Sequence, residues 1–250
     1  MKIMKEHQER DELVIAKVRE IRQTMPNIGT RKLLYELHTL GDKRFKIGRD
    51  YLFNLLWRRS MLVKRKRRFI VTSLSRHTLK IYPNLLPDIT IARPNQVWVS
   101  DITYLRIRKG FVFLSLITDY YSRKVMGYHV SENLSSEGVC LAFERAKSKL
   151  KSMEGLIHHS DHGIQYCSSR YTQMLKQHKI QISMTGDNHC YDNAVAERVN
   201  GILKQEFGLG MMMGNLKLAR EAVTDAVNIY NHRRPHLSLN YRTPEDVYAA

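Results

Sequence analysis

The sequence predicts an α/β protein, a mixed five-stranded sheet flanked by helices and preceded by a small all-α region. Three observations carry this expectation. Residues 11–60 show helical apolar periodicity, the stretch from Gln96 holds three strand-like segments joined by short turns, and from about Ser135 helical and strand-like segments alternate. Short connections pair strands antiparallel, whereas strands followed by helices are free to pair in parallel, so the sheet is mixed with helices on its faces.

In the N-terminal region Leu13, Val14, Ala16, Val18 and Ile21 form one apolar set, which Pro26 ends. GTRKLLYELHTLG follows, with Thr30 able to cap and Gly41 placed to terminate. A third helix, IGRDYLFNLLWRRSML, buries Tyr51, Leu52, Leu55 and Leu56 and carries Arg49, Arg58 and Arg59. Short helices around a turn, with arginines on the last one, suit a helix-turn-helix-like DNA-binding region over residues 1–62, in which Arg58 and Arg59 contact DNA. The turn is longer than usual, which keeps a plain basic helical bundle as the other reading. Lys64, Arg65, Lys66, Arg67 and Arg68 then form a run of five cations that repel one another and do not suit a core. They read as the phosphate-tracking part of a linker spanning residues 63–94.

Residues 95–250 form the α/β unit. QVWVSDITYL alternates, with Val97, Val99, Asp101 and Thr103 on one face and Trp98, Ser100, Ile102 and Tyr104 on the other. GFVFLSLITDY is a second strand after the Arg108–Gly110 turn, and KVMGYHV a third after YYSR. A helix near Ser135–Lys151, the strand GLIHHSD, the helix SSRYTQMLKQHK, the strand IQISMT and a helix over Tyr191–Phe207 complete the order. On that last helix Asn193, Glu197, Asn200 and Lys204 fall at i, i+4, i+7 and i+11, so they share one stripe.

A net charge of +17 points to a polyanionic partner, most simply nucleic acid. The charge is uneven: residues 1–70 carry +11 of it. Cys140, Cys167 and Cys190 make an odd number without a CxxC pair, which suggests a reducing compartment and no zinc knuckle. The longest strongly apolar stretch, Phe111–Thr118, is far short of the ~20 residues of a membrane helix, and the start of the chain has no secretory apolar segment. These features predict a cytoplasmic protein, associated with the nucleoid when bound to DNA, with no membrane partner.

Asp101 lies in a strand otherwise rich in Val, Ile, Trp and Tyr, where a carboxylate is costly unless paired or bound to metal. Asp161 ends the strand GLIHHSD beside Gly163, and Glu197 sits on the polar stripe. Strand, strand end and helix can converge on one sheet edge. Three carboxylates without a Cys/His cluster favour Mg²⁺ or Mn²⁺ over zinc, and two such ions suit phosphodiester chemistry. Glu197 would then bind metal, while Asn200 and Lys204 face the nucleic-acid backbone.

WVSDITYL, TDYYSR, HHSDHGIQYCS and NAVAERVNGILKQE, in this order, resemble the integrase core of transposases of the insertion sequence three family, whose relatives include retroviral integrases. Asp161 and Glu197 are separated by 35 residues, the spacing of the aspartate–aspartate–glutamate group. IYNHRRPHLSLNYRTPEDVY is similar to the family's C-terminal signature, and the N-terminal helices to the family's second reading frame. The resemblance implies a ribonuclease H-like fold with Asp101, Asp161 and Glu197 as the catalytic, metal-binding triad, Asp101 bridging two Mg²⁺ or Mn²⁺ ions. It also implies cleavage at the ends of an insertion sequence and strand transfer through a circular intermediate. Asn200 and Lys204 match family positions that contact DNA, and Asp119 is expected to be structural, holding Arg123 or the hairpin turn. His7, His38 and His77 lack the zinc-module spacing of the retroviral relatives, and TGDNH (185–189) replaces a basic element common in the family. The implied partners are terminal inverted repeats and target DNA, an upstream-frame product or fusion, and further copies of the chain on DNA. A non-catalytic DNA-binding regulator, or an inactive remnant of a transposase, is the alternative from another class. A nuclease for RNA–DNA hybrids is disfavoured by the basic N-terminal region and the integrase-type spacing.

Overall fold

The computed structural model describes residues 2–63, 78–150, 152–186 and 193–250 of the 250-residue chain. Lys64–Arg68 of the cationic run, Cys190 and most of TGDNH fall outside them. Three helices open the chain: α1 (Lys2–Thr24), α2 (Thr30–Thr39) and α3 (Arg49–Arg58). Val14, Ile15, Val18, Leu33, Leu37, Leu52, Leu55 and Leu56 form their shared core, with Phe207 and Ile229 from the C-terminal half packed against it. The periodicity from Leu13 onward marks the buried part of α1. The helix itself begins at Lys2, on charged residues that show no apolar period.

The sheet has five strands in the order β3-β2-β1-β4-β5. Strands β1 (Val97–Ile107), β2 (Gly110–Asp119) and β3 (Val125–Ser131) make the antiparallel meander, and β4 (Ile157–Ser160) and β5 (Gln181–Met184) add in parallel on the other side of β1. Helices α4 (Ser136–Lys147), α5 (Ile164–Cys167) and α6 (Ser169–Gln177) are interleaved among the strands, and α7 (Ala194–Glu206), α8 (Leu216–His232) and α9 (Pro244–Ala249) follow β5. Each face of the sheet buries its own core. Trp98, Ile117 and Met126 meet Phe143, Tyr171 and Leu175 on one side, while Leu105, Leu114 and Leu116 meet Val199, Leu203 and Tyr230 on the other. Gly127 lets α4 approach β3 closely: a Cβ there would stand 2.2 Å from the Ala142 carbonyl oxygen.

Residues 78–94 are irregular but packed. Leu85, Leu86, Ile89 and Ile91 lie against Val97, Val99 and Ile157, and the Leu85 amide donates to Ser183 Oγ at 2.9 Å. Asp119 is buried in the β2–β3 turn, where it accepts from Ser122 N, Ser122 Oγ and Asn95 N at 2.6–2.7 Å. That is the turn-holding role expected of it.

Candidate active site on the open edge of the central strand

Strand β1 has 11 residues and its parallel neighbour β4 only 4. Val97, Trp98 and Val99 stand opposite Ile157, His158 and His159. Continuing that register sets Asp101 beside Asp161, the first residue past the end of β4. Beyond this point, among the described residues, β1 meets no further strand on this edge but only an isolated bridge from Ile107 to Met213, and α7 packs over it.

The polar stripe on α7 is therefore a set of contacts to β1. Asn193 Nδ2 donates to the Ser100 carbonyl at 3.0 Å, Asn200 Nδ2 to Asp101 Oδ2 at 2.8 Å, and Lys204 Nζ to Thr103 Oγ1 at 3.1 Å. Asn200 is only 4 % exposed, so its amide is spent inside the protein on Asp101 rather than turned outward as the sequence suggested. Lys204 is half-buried, and burial lowers its pKa against the pull of Asp101. Glu197 is exposed in the first turn of α7, on the same stripe.

The electrostatics tie the three acids together. Burial first, then the charge of Asp161, raises the Asp101 pKa to about 7; Glu197 adds to this, while the Asn200 hydrogen bond opposes it. Asp161 is also raised by burial, although the Gly163 amide donates to its Oδ1 at 2.9 Å. Tyr166 is buried within the influence of both aspartates, and its hydroxyl has no hydrogen-bond partner among the described residues. Asn200 Oδ1 is likewise buried without a partner among them. Among the described residues no three His, Cys, Asp or Glu side chains are gathered into a closed ligand set. Asp101 and Asp161 are the preset pair, and Glu197 stands outside them on α7.

His158 and His159 do not face this edge as free bases. Ser100 Oγ and Tyr171 Oη lie 2.7 and 2.8 Å from His158 Nε2, and burial lowers its pKa to about 3. His159 Nδ1 lies 2.8 Å from Ser183 Oγ, tying β4 to β5. The Ser100–His158–Tyr171 contact, the Tyr166 hydroxyl and the bond from Asn193 to the Ser100 carbonyl escaped the sequence reading. Their only signal was their place beside Asp101, Asp161 and the stripe.

The N-terminal arginines pair with acids of α1 instead. Arg58 reaches Asp11 at 3.5 Å and Arg59 pairs with Glu12, so both are bound to α1 while remaining largely exposed.

The raised Asp101 pKa sets a pH dependence. Between about pH 4 and 7 the native chain holds a proton that the unfolded chain releases, so this group's contribution to stability falls as pH rises through that window. Asp101→Asn is expected to raise the melting temperature in chelator above pH 7 and to flatten its decline from acid pH. A lower melting temperature than the native chain at that pH would contradict this electrostatic picture.

Comparison with known proteins adds to this geometry. Residues 91–190 match a model of the integrase core domain, and residues 178–244 match a second integrase core model. The chain is 36 % identical over 242 residues to the uncharacterized 31 kDa protein of insertion element IS600 from Shigella sonnei, covering 96 % of this chain and 87 % of that one. It is 34 % identical to transposase InsF for insertion sequence IS3A of Escherichia coli K12, over 79 % of this chain and 72 % of that one. Two solved structures share the fold. The HTLV-2 integrase catalytic core domain in complex with magnesium matches with a TM-score of 0.51 at 21 % identity, over 62 % of this chain and 97 % of that one. The simian T-cell lymphotropic virus intasome in complex with the PP2A regulatory subunit B56 gamma matches with a TM-score of 0.55 at 17 % identity, over 94 % and 74 %.

Proposed function

Since the chain belongs to the insertion sequence 3 family of transposases and carries their integrase core, we propose that it cleaves DNA at insertion-sequence ends and transfers the cut strand. The observation that carries this reading is the meeting of Asp101 and Asp161 at the open edge of β1, beneath the stripe that bears Glu197. Two partly buried carboxylates, one of which raises the pKa of the other, beside unpartnered Tyr166 and Asn200 oxygens, suit a hard cation with bound water. Asp101, Asp161 and Glu197 would hold Mg²⁺ or Mn²⁺, and the HTLV-2 core domain, which shares the fold, is in complex with magnesium. Two ions so held would activate the attacking oxygen and stabilise the leaving one.

The residues of the chain have separate tasks. Asp101 and Asp161 supply oxygen donors at fixed positions on the sheet, and Glu197 supplies the third from α7. Asn200 orients Asp101, and Lys204 brings a positive charge to the rim, where a strand phosphate would pass. The reaction is a displacement at phosphorus: water attacks, the bond to the 3′ oxygen breaks and that oxygen leaves as a 3′-hydroxyl, which then attacks a second phosphodiester, breaking its P–O3′ bond and passing its proton to the 3′ oxygen released there. Residues 1–62 form the DNA-binding region with Arg58 and Arg59, Lys64–Arg68 within the 63–94 linker follow phosphates, and 95–250 form the catalytic core. Terminal repeats and target DNA are the substrates. A further copy of the chain and an upstream-frame product are the protein partners, and the site of action is the bacterial nucleoid. Among the described residues no helix is long and apolar enough to cross a membrane.

The test uses cells carrying the complete element, with outward-facing primers that amplify abutted-end circle junctions. The native gene is expected to yield junctions and Asp161→Asn none. Junctions from both would remove Asp161 from the chemistry, and junctions from neither would favour the regulator or remnant.

A further inference from the structure

On the far side of α7 from the catalytic stripe lies a cavity of about 310 Å³. Its floor is apolar, with Val195, Val199 and Ile202 of α7. Its charged lining comes from four separate parts of the chain: Lys32 of α2, Arg123 of the β2–β3 turn, Arg198 of α7 and Arg234 of the C-terminal segment. Lys32 and Arg234 are 6 % and 2 % exposed, whereas Arg198 is exposed at the mouth.

One carboxylate answers Lys32 and Arg234, whereas the Arg123 guanidinium donates to the Tyr120 carbonyl, lies 4.8 Å from the Tyr120 ring centre and is felt by Asp119. Glu206 takes Lys32 Nζ at 2.6 and 2.8 Å and the Arg234 guanidinium at 2.9 Å through two nitrogens, so both of its oxygens are occupied. Arg123 and Arg198 make no salt bridge among the described residues. Arg123 also has a left-handed backbone, φ 64°, uncommon for a residue with a side chain. The Tyr230 hydroxyl donating to its carbonyl at 2.9 Å and its own amide bonded to Asp119 O maintain that conformation. Strain of this kind gathers at binding sites. The positive charge of the cavity lining is felt by the neighbouring groups. His236 is held at about 3 by burial and then by Arg234 and Lys32, and Arg198 further lowers Lys32.

We propose that this cavity is a phosphate-binding site, in which Arg123 and Arg198 hold the phosphate of a nucleic-acid backbone against the α7 floor and the Lys32–Glu206–Arg234 cluster. Guanidinium forks match phosphate oxygens, and the apolar floor suits the sugar that accompanies a phosphodiester. The phosphate is not the reacting one. The residues of the stripe and of the cavity lie on opposite sides of a helix about 10–12 Å across, which corresponds to roughly three nucleotides of rise along one strand. The cavity therefore holds the strand at a second point, away from the chemistry. This deepens the transposase reading and rests on it.

The test uses the full chain and compares native protein with Arg198→Ala and with Arg170→Ala, which removes an exposed arginine on α6. A short mixed-sequence duplex is titrated at several salt concentrations, and inorganic phosphate is titrated by thermal shift at fixed ionic strength. Arg198→Ala is expected to weaken duplex binding several-fold beyond Arg170→Ala and to lower the salt slope by about 1. A phosphate-induced shift lost in Arg198→Ala, with duplex binding like that of Arg170→Ala, would overturn the DNA source in favour of free phosphate. Arg198→Ala behaving like Arg170→Ala in both measurements overturns the site altogether. Failure of the transposase reading looks different, since the native gene would then yield no circle junctions whatever the duplex affinity of its product.

Discussion

Glu197→Gln is expected to reduce cleavage of a terminal-repeat duplex by at least about 10²–10³-fold, the usual scale for removing a group that stabilises charge in the transition state. Its affinity for the same duplex is expected to stay close to native. Glu197 is exposed on the first turn of α7, and the amide keeps the shape of the side chain, so folding is not at stake. Removing a negative charge beside Asp101 and Asp161 also lessens repulsion toward phosphates, which excludes loss of binding as the cause of inactivity. Asn200→Ala serves as the graded comparison. Its amide touches Asp101 at 2.8 Å and nothing outside the protein, so it acts as a positioning residue. An outer partner of a metal ligand is worth about 10–100-fold, and more Mg²⁺ should recover part of that loss. Single-turnover cleavage across a Mg²⁺ titration, with anisotropy for DNA binding, measures both effects. Glu197→Gln that cleaves normally, or that loses the duplex, would remove Glu197 from the metal-binding role.

How much of this site can be read from the sequence depends on what kind of pattern each residue makes. Asp101 was legible because strand alternation puts it on the same face as Val97 and Val99, and that face packs under α7 with Ala196. Glu197 was legible because helical spacing puts it in line with Asn193, Asn200 and Lys204. Periodicity gives the face of a side chain but not its partner. Asn200 was therefore read as facing DNA, although the unequal lengths of β1 and β4 leave an edge that its amide fills. No local rule yields that inequality. The packed stretch 78–94 was hidden for a related reason. Its polar and proline-containing sequence has no period, and Leu85, Leu86, Ile89 and Ile91 find their neighbours only once the sheet exists. Glu206 was hidden more completely, since its two partners lie 174 and 28 residues away in sequence.

Glu206 is where the largest stability effect is expected. It ends α7, and its carboxylate joins α2 through Lys32 to the C-terminal segment through Arg234, with both cations nearly buried. The backbone adds to this junction: Asn27 N donates to the Glu206 carbonyl at 3.1 Å and Asn27 Nδ2 to Gln205 O at 2.9 Å, satisfying carbonyls at the helix end. Its attraction to both cations outweighs burial and holds the Glu206 carboxyl below its ordinary range. Lys32 goes the other way. Burial and the repulsion of Arg234 bring it down to about 8 despite its bond to Glu206.

That asymmetry decides the outcome of substitution. Glu206→Gln leaves two buried cations without a counter-charge, and breaking a buried ion pair from one side costs about 3–5 kcal/mol. In a chain of this size the melting temperature should fall by roughly 10 °C. Lys32→Met removes one of two competing cations and leaves Arg234 bonded to both Glu206 oxygens. Its cost is expected to be below about 1 kcal/mol, because replacing a buried charge by an apolar side chain of similar length is often neutral. The double variant should recover part of the Glu206→Gln loss, since Lys32 is then no longer an unpaired buried charge. Thermal and urea denaturation of the three variants form the test. Equal losses for Glu206→Gln and Lys32→Met would show that the cluster acts through packing rather than charge. A loss confined to Glu206→Gln would make it the electrostatic lock between the N-terminal helices and the helix that carries Glu197.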